Sequence, residues 1–126
     1  MAAGGEEIVV IDDDDEVRAA VLAGLRRAFP RTVAGFDTGE AGLAYALAHP
    51  VAVVVSDIDM LPMSGLEMAK RLRAARPDIA IVFLTGFPDP VPHVEDVRPQ
   101  AVLAKPVTLA ELVAAIRAVL PRREGE

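Results

Sequence analysis

Residues 51–57 read VAVVVSD, which is five apolar residues in succession followed by Ser56 and Asp57. An unbroken apolar run of this length is typical of a strand that is buried on both faces, as in the interior of a parallel sheet. Four similar runs occur elsewhere in the chain, at residues 8–11, 32–36, 79–84 and 101–104. Stretches with helical spacing separate the runs. The pattern therefore predicts an α/β fold, with five parallel strands and helices on both faces of the sheet.

Several helix starts are marked by a capping residue with a Glu three positions later. The pairs are Ser64 with Glu67, Thr108 with Glu111 and, in a weaker acidic version, Asp37 with Glu40. In such a pair, the first side chain and the Glu satisfy backbone amide groups that have no partner inside the helix. We therefore expect helices to begin just after residues 37, 64 and 108.

The stretch between Thr85 and Lys105 departs from this pattern. It contains four prolines, at positions 88, 90, 92 and 99. Proline lacks an amide donor and biases the preceding residue away from helical geometry. Only residues 93–98 remain able to wind, which is less than two turns of helix. The sequence therefore predicts a fourth helix that is short or irregular.

The length of 126 residues fits one domain, which we place at residues 6–120, with flexible tails at 1–5 and 121–126. Apolar residues make up 52% of the chain and charged residues 25%, as in globular proteins. The absence of cysteine excludes a disulfide framework, a thiol nucleophile and a zinc–thiolate site.

The charge balance is acidic, with a formal net charge of −6. Because no cluster of basic residues is available to displace counterions, we expect no direct binding to nucleic acid and none to anionic membranes. No apolar run approaches the roughly 20 residues that a membrane span needs, and no export signal is visible. We expect a cytoplasmic protein.

Charged and hydroxyl side chains follow the predicted strands, near the point where each strand ends. Taking the first, third, fourth and fifth runs in order, these residues are Asp12 and Asp13, Asp57, Thr85 and Lys105. In an open parallel sheet, ligands bind beyond the carboxyl ends of the strands. If the first strand lies between the second and the third, as is common in doubly wound folds, these five side chains meet at one rim.

Three carboxylates at one rim repel each other, by roughly 3 kcal/mol for a pair about 5 Å apart at an effective dielectric near 20. A raised pKa, a neighbouring cation or a bound metal ion must offset this repulsion. Lys105 alone does not neutralise three acids, and oxygen ligands suit Mg²⁺. A carboxylate beside Mg²⁺, a hydroxyl and a lysine is able to attack phosphorus, so the set predicts phosphoryl capture on an aspartate.

Neighbouring polar residues have simpler structural explanations. Asp14, Asp15 and Glu16 are interpreted as acidic residues that favour a helix N-terminus. His93 is interpreted as an ordinary surface residue, and the methionines at positions 60, 63 and 68 as packing groups. Each rim residue, taken alone, also has a structural explanation. Their joint placement at one rim is what indicates a functional site.

Four segments together resemble the receiver domains of two-component response regulators: VVIDDDDEVR, VVVSDIDMLPMSGLE, FLTG and LAKP, which begin at residues 9, 53, 83 and 103. The resemblance extends from about residue 7 to residue 120. It implies a flavodoxin-like fold with strand order 2-1-3-4-5. It also implies a signalling domain, rather than an enzyme with a separate substrate. Such a domain takes a phosphoryl group from a phosphohistidine on a histidine kinase or a histidine phosphotransfer protein.

The resemblance assigns a role to each acid of the rim. Asp57 would be the phosphoacceptor. Asp13 and Asp57 would bind Mg²⁺ through their side chains, Asp59 through its backbone carbonyl, and Asp12 through water.

The resemblance also assigns the groups that would bind the phosphoryl oxygens. Thr85 would be the switch hydroxyl, which swings toward the phosphoryl group. The backbone amide of Gly86 and the ammonium of Lys105 would contact phosphoryl oxygens. The Lys105–Pro106 peptide would be cis, which aims the lysine.

Three features depart from the family pattern. Leu61 and Pro62 stand where the family usually has Pro-Gly, which predicts a different turn in this loop. The interval from Thr85 to Lys105 is 20 positions, which is shorter than usual. Val102 stands where the family usually has Tyr or Phe. We therefore expect a degenerate or mobile fourth helix, and we expect that phosphorylation does not act through the common dimer built on that helix.

Other functions fit parts of the pattern. Asp57-Ile58-Asp59 imitates the aspartate pair of haloacid-dehalogenase-like phosphatases, but here the pair follows the third strand and Leu61 replaces their usual Thr or Val. A pseudo-receiver that docks partners without chemistry is a second alternative, although such proteins usually lack one of the key acids or the lysine. A nucleotide or flavin site is disfavoured because no Gly-rich turn follows the first strand. The chain is either a stand-alone receiver or a receiver excised from a hybrid kinase, and its oligomeric state is open.

Overall fold

Strands and helices alternate along the chain in the computed structural model, which describes residues 6–86 and 91–120. The elements within these residues are β1 Glu7–Ile11, α1 Asp15–Ala28, β2 Val33–Phe36, α2 Gly39–Ala48, β3 Val51–Asp57, α3 Gly65–Ala75, β4 Ala80–Thr85, a 3₁₀ segment Val94–Val97, β5 Ala101–Ala104 and α4 Leu109–Val119. The tails expected at 1–5 and 121–126 lie outside the described residues, as do residues 87–90 with two of the four prolines.

The five strands form one parallel sheet in the order β2-β1-β3-β4-β5. The register brings the carboxyl ends of the strands close together. Ile11 pairs with Ser56, the neighbour of Asp57, and Thr85 pairs with Ala104, the neighbour of Lys105. The predicted fold class and strand order are confirmed. The order makes β1, β3, β4 and β5 successive neighbours, so that their carboxyl ends lie side by side at one edge of the sheet.

Two apolar clusters, one on each face of the sheet, hold the layers together. Helices α2 and α3 and the 3₁₀ segment pack on one face, with Phe83 and Leu72 fully buried between the layers. Helices α1 and α4 pack on the other face, around Leu25 and Ile116. Every residue of β3 is buried, as expected for a strand covered on both faces. Full burial of such a side chain stabilises the fold by about 1.5–3 kcal/mol.

Helix starts follow the predicted capping residues in two of the three cases. Ser64 accepts a hydrogen bond from the amide of Glu67, and Thr108 accepts one from the amide of Glu111. The expectation for Asp37 is wrong, because Thr38 caps α2 instead. The threonine hydroxyl is one position closer to the first free amides and accepts from Ala41 N, which is the geometry of an N-cap.

The chain between β4 and β5 contains only one short helical element among its described residues. It is the four-residue 3₁₀ segment Val94–Val97, and the residues on either side, His93 and Arg98, have left-handed backbone with φ of 65° and 49°. The prediction of a short or irregular fourth helix is confirmed for residues 91–100. Val102 of β5, on the α3 face of the sheet, is 43% exposed because this short segment does not cover it.

Among the described residues, no helix combines the length and the apolar character that crossing a membrane would require.

Candidate functional site

A cavity of about 370 Å³ opens at the carboxyl end of the sheet. Its lining contains all of the predicted site side chains, together with Asp14, Val17 and Leu84, which were not predicted as part of the site. The complete lining is Asp12, Asp13, Asp14, Val17, Asp57, Asp59, Leu84, Thr85, Gly86 and Lys105. The predicted convergence of the strand ends on one rim is therefore present in the structure.

Three carboxylates lie at the centre of the cavity. One oxygen from each of Asp12, Asp13 and Asp57 lies within 4.8 Å of the other two. Asp12 and Asp57 are buried, at 2% and 5% exposure, whereas Asp13 is exposed. Asp12 Oδ1 accepts a hydrogen bond of 2.9 Å from the amide of Asp14, and Oδ2 is buried without a hydrogen-bond partner. An unpartnered buried carboxylate oxygen is costly unless something else compensates for it.

Lys105 contributes the positive charge of the site. Its Nζ lies 2.8 Å from Oδ1 of Asp57, in ion-pair contact. Burial lowers the pKa of Lys105, but the carboxylates of Asp57, Asp12 and Asp13 outweigh this effect, and the net shift of the lysine pKa is upward. The lysine is therefore fully charged at neutral pH.

Asp57 is the titratable group of the cavity whose pKa is most clearly perturbed. Burial raises the pKa of Asp57 and the charge of Asp12 raises it further, while Lys105 opposes both; the result is a pKa of about 6. The ammonium therefore compensates for only part of the cost of placing two carboxylates together. The site has an excess of negative charge that one lysine does not neutralise.

The donor set fits a hard divalent cation. All of the candidate ligand atoms are oxygens, and one of them, Asp12 Oδ2, is buried and without a hydrogen-bond partner. Mg²⁺ prefers this kind of oxygen site and usually retains several waters. Side chains of Asp12, Asp13 and Asp57 are placed to hold such an ion, and Asp59 is an exposed part of the same cavity lining.

The opposite wall of the cavity comes from the ends of β4 and β5. Thr85 is the last residue of β4 and is 7% exposed. The amide of Lys105 donates to the carbonyl of Thr85 at 2.8 Å, which ties the two strand ends together. Apart from its chain neighbours, no atom of the described residues lies within 4 Å of the position that a Cβ atom on Gly86 would occupy. The Lys105–Pro106 peptide is cis, and so is Leu61–Pro62 in the loop after β3.

The loop after Asp57 returns tightly to the end of β3. The amide of Gly65 donates to the carbonyl of Ile58 at 2.8 Å. A Cβ atom on Gly65 would lie 2.0 Å from the carbonyl oxygen of Asp57, so only glycine fits there. The Ser56 hydroxyl donates to the same carbonyl at 2.8 Å. The close contact with Gly65 and the hydrogen bond from the Ser56 hydroxyl therefore both constrain the backbone of Asp57.

Arg18 is a supporting residue that sequence reasoning did not identify. Its guanidinium donates to the carbonyl of Asp12 at 2.8 Å and to Asp15 Oδ1 at 2.7 Å. The spacing of Asp15 and Arg18 on one helix face is a signal that would have suggested the ion pair. Asp14 has the structural role that was expected, because its side chain caps α1 by accepting from the amides of Glu16 and Val17.

The methionines and the histidine that were interpreted as structural are not part of the cavity lining. Met60, Met63 and Met68 are buried in the apolar cluster beneath α2 and α3. His93 is exposed, with Nδ1 3.4 Å from Asp96 Oδ2, and it is not part of the cavity lining.

Comparisons with known proteins agree with this geometry. A family model for the response regulator receiver domain matches residues 8–117. The chain is 34% identical over 90 residues to the response regulator receiver protein CpdR of Brucella abortus, a match that spans 70% of this chain and 75% of that protein. It is 30% identical over 92 residues to the transcriptional regulatory protein QseB of Haemophilus influenzae, spanning 71% of this chain but only 42% of that protein.

A solved structure shows the same likeness in three dimensions. The chemotaxis response regulator CheY4 of Vibrio cholerae superimposes with a TM-score of 0.83 at 26% identity, covering 92% of this chain and 99% of that one. The family match covers most of the chain, and the strand order and the cavity at the carboxyl end of the sheet are those of the fold that the resemblance implied. The chain belongs to the response regulator receiver domain family.

Proposed function

We propose that this domain accepts a phosphoryl group on Asp57 from a phosphohistidine of a histidine kinase or a histidine phosphotransfer protein, in a reaction that depends on Mg²⁺. The observation that carries the proposal is the placement of Asp57. Its carboxylate is buried at the base of an open cavity, with Asp12 and Asp13 on one side and the Lys105 ammonium 2.8 Å away. The carboxylate lines this cavity beside groups that are able to bind phosphoryl oxygens.

The transfer needs no group beyond those named. An oxygen of the Asp57 carboxylate attacks phosphorus, a new P–O bond forms, and the P–N bond to the histidine breaks. The electron pair of that bond remains on the imidazole nitrogen, which can then take a proton from water. Lys105, the Thr85 hydroxyl and the Gly86 amide bind the phosphoryl oxygens as charge builds on them. A bound Mg²⁺, held by Asp12, Asp13 and Asp57, would supply further charge neutralisation.

Phosphoryl uptake is directly measurable with a small donor. Incubation with acetyl phosphate and Mg²⁺ should raise the intact mass by one phosphoryl group, and a chelator should prevent the change. Asp57→Ala should show no change in mass. Asp78→Ala is a matched control, because it removes an exposed carboxylate that is paired with Arg76 outside the cavity. It should be modified like the wild type.

The outcomes separate the proposed function from its alternatives. An unchanged mass in the wild type would contradict phosphoryl capture and support a docking module of the same fold. Continuous hydrolysis of a phosphomonoester such as p-nitrophenyl phosphate would support the phosphatase alternative. A receiver should accept one phosphoryl group and release it slowly.

The cellular setting is part of the same proposal. We propose a cytoplasmic location and a histidine-kinase or phosphotransfer partner, and membership of the receiver family supports both. The formal net charge of −6 supports a protein partner over direct contact with nucleic acid.

A further inference from the structure

The turn between β1 and α1 carries two of the three carboxylates at the centre of the cavity, those of Asp12 and Asp13. Two hydrogen bonds order this turn. The amide of Asp12 donates to the carbonyl of Phe36 in β2 at 3.1 Å, and the amide of Asp14 donates to Asp12 Oδ1 at 2.9 Å. These bonds engage the peptide before Asp12 and the peptide after Asp13. The peptide that joins the two acids is held by a different contact.

Arg18 of α1 makes this contact. One terminal guanidinium nitrogen donates to the carbonyl of Asp12 at 2.8 Å, and the other donates to Asp15 Oδ1 at 2.7 Å. A planar guanidinium serves two such acceptors at once, which a lysine ammonium does less well. Because the carbonyl of Asp12 is part of the Asp12–Asp13 peptide, the hydrogen bond restricts rotation of that peptide plane. It thereby restricts the direction in which the chain continues to Asp13.

The two acceptors of Arg18 differ in their surroundings. The side chain of Arg18 is mostly buried, at 19% exposure, whereas that of Asp15 is 84% exposed. An ion pair to such an exposed carboxylate is weakened by water and salt. A charged donor in a more protected place makes a stronger hydrogen bond to its carbonyl acceptor. We therefore expect the contact with Asp12 to be the more important of the two.

Both acids need accurate placement if they are to hold a metal ion together with Asp57. Oxygens of the three carboxylates already lie within 4.8 Å of one another, and Asp12 Oδ2 is buried without a hydrogen-bond partner. Mg²⁺ requires near-octahedral geometry with ligand oxygens at about 2.0–2.1 Å. Rotation of the Asp12–Asp13 peptide would move the two carboxylates relative to each other and disturb this geometry. Removal of a group that orients metal ligands typically lowers metal affinity by about 10–100-fold.

We propose that Arg18 is a positioning residue for the metal site, and that it sets the affinity of the domain for Mg²⁺ by fixing the Asp12–Asp13 peptide. Arg18 is not part of the cavity lining, so it acts through the acids and not on the phosphoryl group. The inference rests on one part of the proposed function, the binding of Mg²⁺ by Asp12, Asp13 and Asp57.

Calorimetric titration of the unphosphorylated domain with Mg²⁺ tests the proposal. Arg18→Met keeps a long side chain but removes the donors, and its dissociation constant for Mg²⁺ should rise by roughly tenfold or more. Arg18→Lys keeps a charged donor and should recover part of this loss, which leaves a rise of roughly threefold. Asp15→Asn keeps the contact with Asp12 and should bind Mg²⁺ within about threefold of the wild type.

Arg26→Met is the matched control on the same helix. The guanidinium of Arg26 also donates to a backbone carbonyl, that of Val33, at 3.2 and 2.8 Å. Arg26 lies in the last turn of α1 and is not part of the cavity lining. The variant should lose stability in urea unfolding, as Arg18→Met should, but keep the Mg²⁺ affinity of the wild type. An arginine with a purely structural role would behave in this way.

The rate of phosphoryl uptake from acetyl phosphate separates positioning from chemistry. In Arg18→Met, the Mg²⁺ concentration that gives half of the maximal rate should rise by the same factor as the dissociation constant. The rate at saturating Mg²⁺ should stay within about threefold of the wild type, because the reacting groups are unchanged. If Arg18→Met does not fold, Arg18→Lys decides by the same two measurements.

The possible failures are distinguishable. Wild-type Mg²⁺ affinity in the Arg18 variant, or an equal loss of affinity in Arg26→Met, would overturn the inference alone. Mg²⁺ binding that depends on Arg18, in a wild-type domain that takes up no phosphoryl group, would support the inference and overturn the proposed phosphoryl transfer. Absence of Mg²⁺ binding by the wild type would overturn both.

Discussion

The surroundings of Asp57 destabilise its ionised carboxylate, although the proposed phosphoryl transfer requires that ionised form. Its carboxylate is almost completely buried, Asp12 is beside it, and a single ammonium faces both. The sequence placed these residues at one rim, because the carboxyl ends of parallel strands share an edge of the sheet. It also predicted that Lys105 alone would not neutralise the acids. It did not predict which carboxyl would have the raised pKa, since burial and pairing depend on side-chain packing that no local pattern encodes.

The raised pKa of Asp57 makes the stability of the metal-free domain depend on pH. A carboxyl with a pKa of about 6 in the folded state binds more protons folded than unfolded. Its protonation therefore stabilises the fold at low pH, and this contribution is lost as pH rises from about 4 to about 6. Above that range the ionised carboxylate should cost roughly 3 kcal/mol.

Asp57→Asn should remove this cost. With a chelator present, urea unfolding at pH 7 should show the variant to be more stable than the wild type by up to about 3 kcal/mol, and the difference should vanish near pH 4. Lys105 is 37% exposed and can turn toward solvent when its partner is neutral. A stability difference between the two proteins that stays the same from pH 4 to 7 would contradict this prediction. It would show that ionisation of Asp57 does not destabilise the fold.

At the scale of single elements, α3 depends on a close backbone contact at its first residue. Gly65 lies against the carbonyl of Asp57, so that a methyl group there would overlap backbone atoms rather than a movable side chain. The capping residue before it, Ser64, was predictable from its spacing with Glu67, which is local along the chain. The contact between Gly65 and Asp57 was not predictable, because it depends on how the loop between them folds back.

Gly65→Ala should therefore be strongly destabilising. We expect a loss of more than about 2 kcal/mol in the free energy of unfolding, because the start of α3 or the end of β3 must move. Gly86→Ala is the control for stability, since within residues 6–86 and 91–120 no atom beyond the chain neighbours lies within 4 Å of the added methyl group. It should change stability by less than about 0.5 kcal/mol. Equal losses for the two variants in urea unfolding would refute the argument from close contact.

In the region between β4 and β5, the sequence predicted the lack of a long helix but not the contacts that hold the chain in place. Proline content predicted that no long helix would form there, because proline removes donors and restricts its predecessor. The hydrogen bonds that Arg73 of α3 donates to residues 97, 98 and 100 were not predictable, since these acceptors lie 24 or more residues away along the chain. Long-range polar contacts of this kind leave no periodic trace in the sequence.

At the scale of the whole molecule, the arrangement of helices on both faces of the sheet was predictable from the sequence. Which side chains remain exposed on those faces was only partly predictable. Five apolar runs and the rule for crossover connections are enough to place helices on both faces of the sheet. The short 3₁₀ segment leaves Val102 half-exposed on the face that a full fourth helix would cover. A dimer built on such a helix lacks its main surface in this chain.

We therefore expect the phosphorylated domain to remain monomeric. Light scattering coupled to size exclusion, before and after treatment with acetyl phosphate and Mg²⁺, should give a mass near 13.3 kDa in both states. A stable two-fold increase in mass on phosphorylation would show that a dimer forms without the fourth helix, and it would contradict this expectation.

The placement of the site residues at the carboxyl ends of the strands has a consequence for how the sequence of such a protein can change in evolution. All of the proposed reactive groups lie at the last position of a strand or just beyond it, whereas the interiors of β3 and β4 are mainly buried aliphatic residues, with Phe83 and Ser56 as exceptions. Valine, isoleucine and leucine can replace one another there at little cost when total volume is kept. We therefore expect related domains to differ in the residues of their core while they keep the residues that line the cavity.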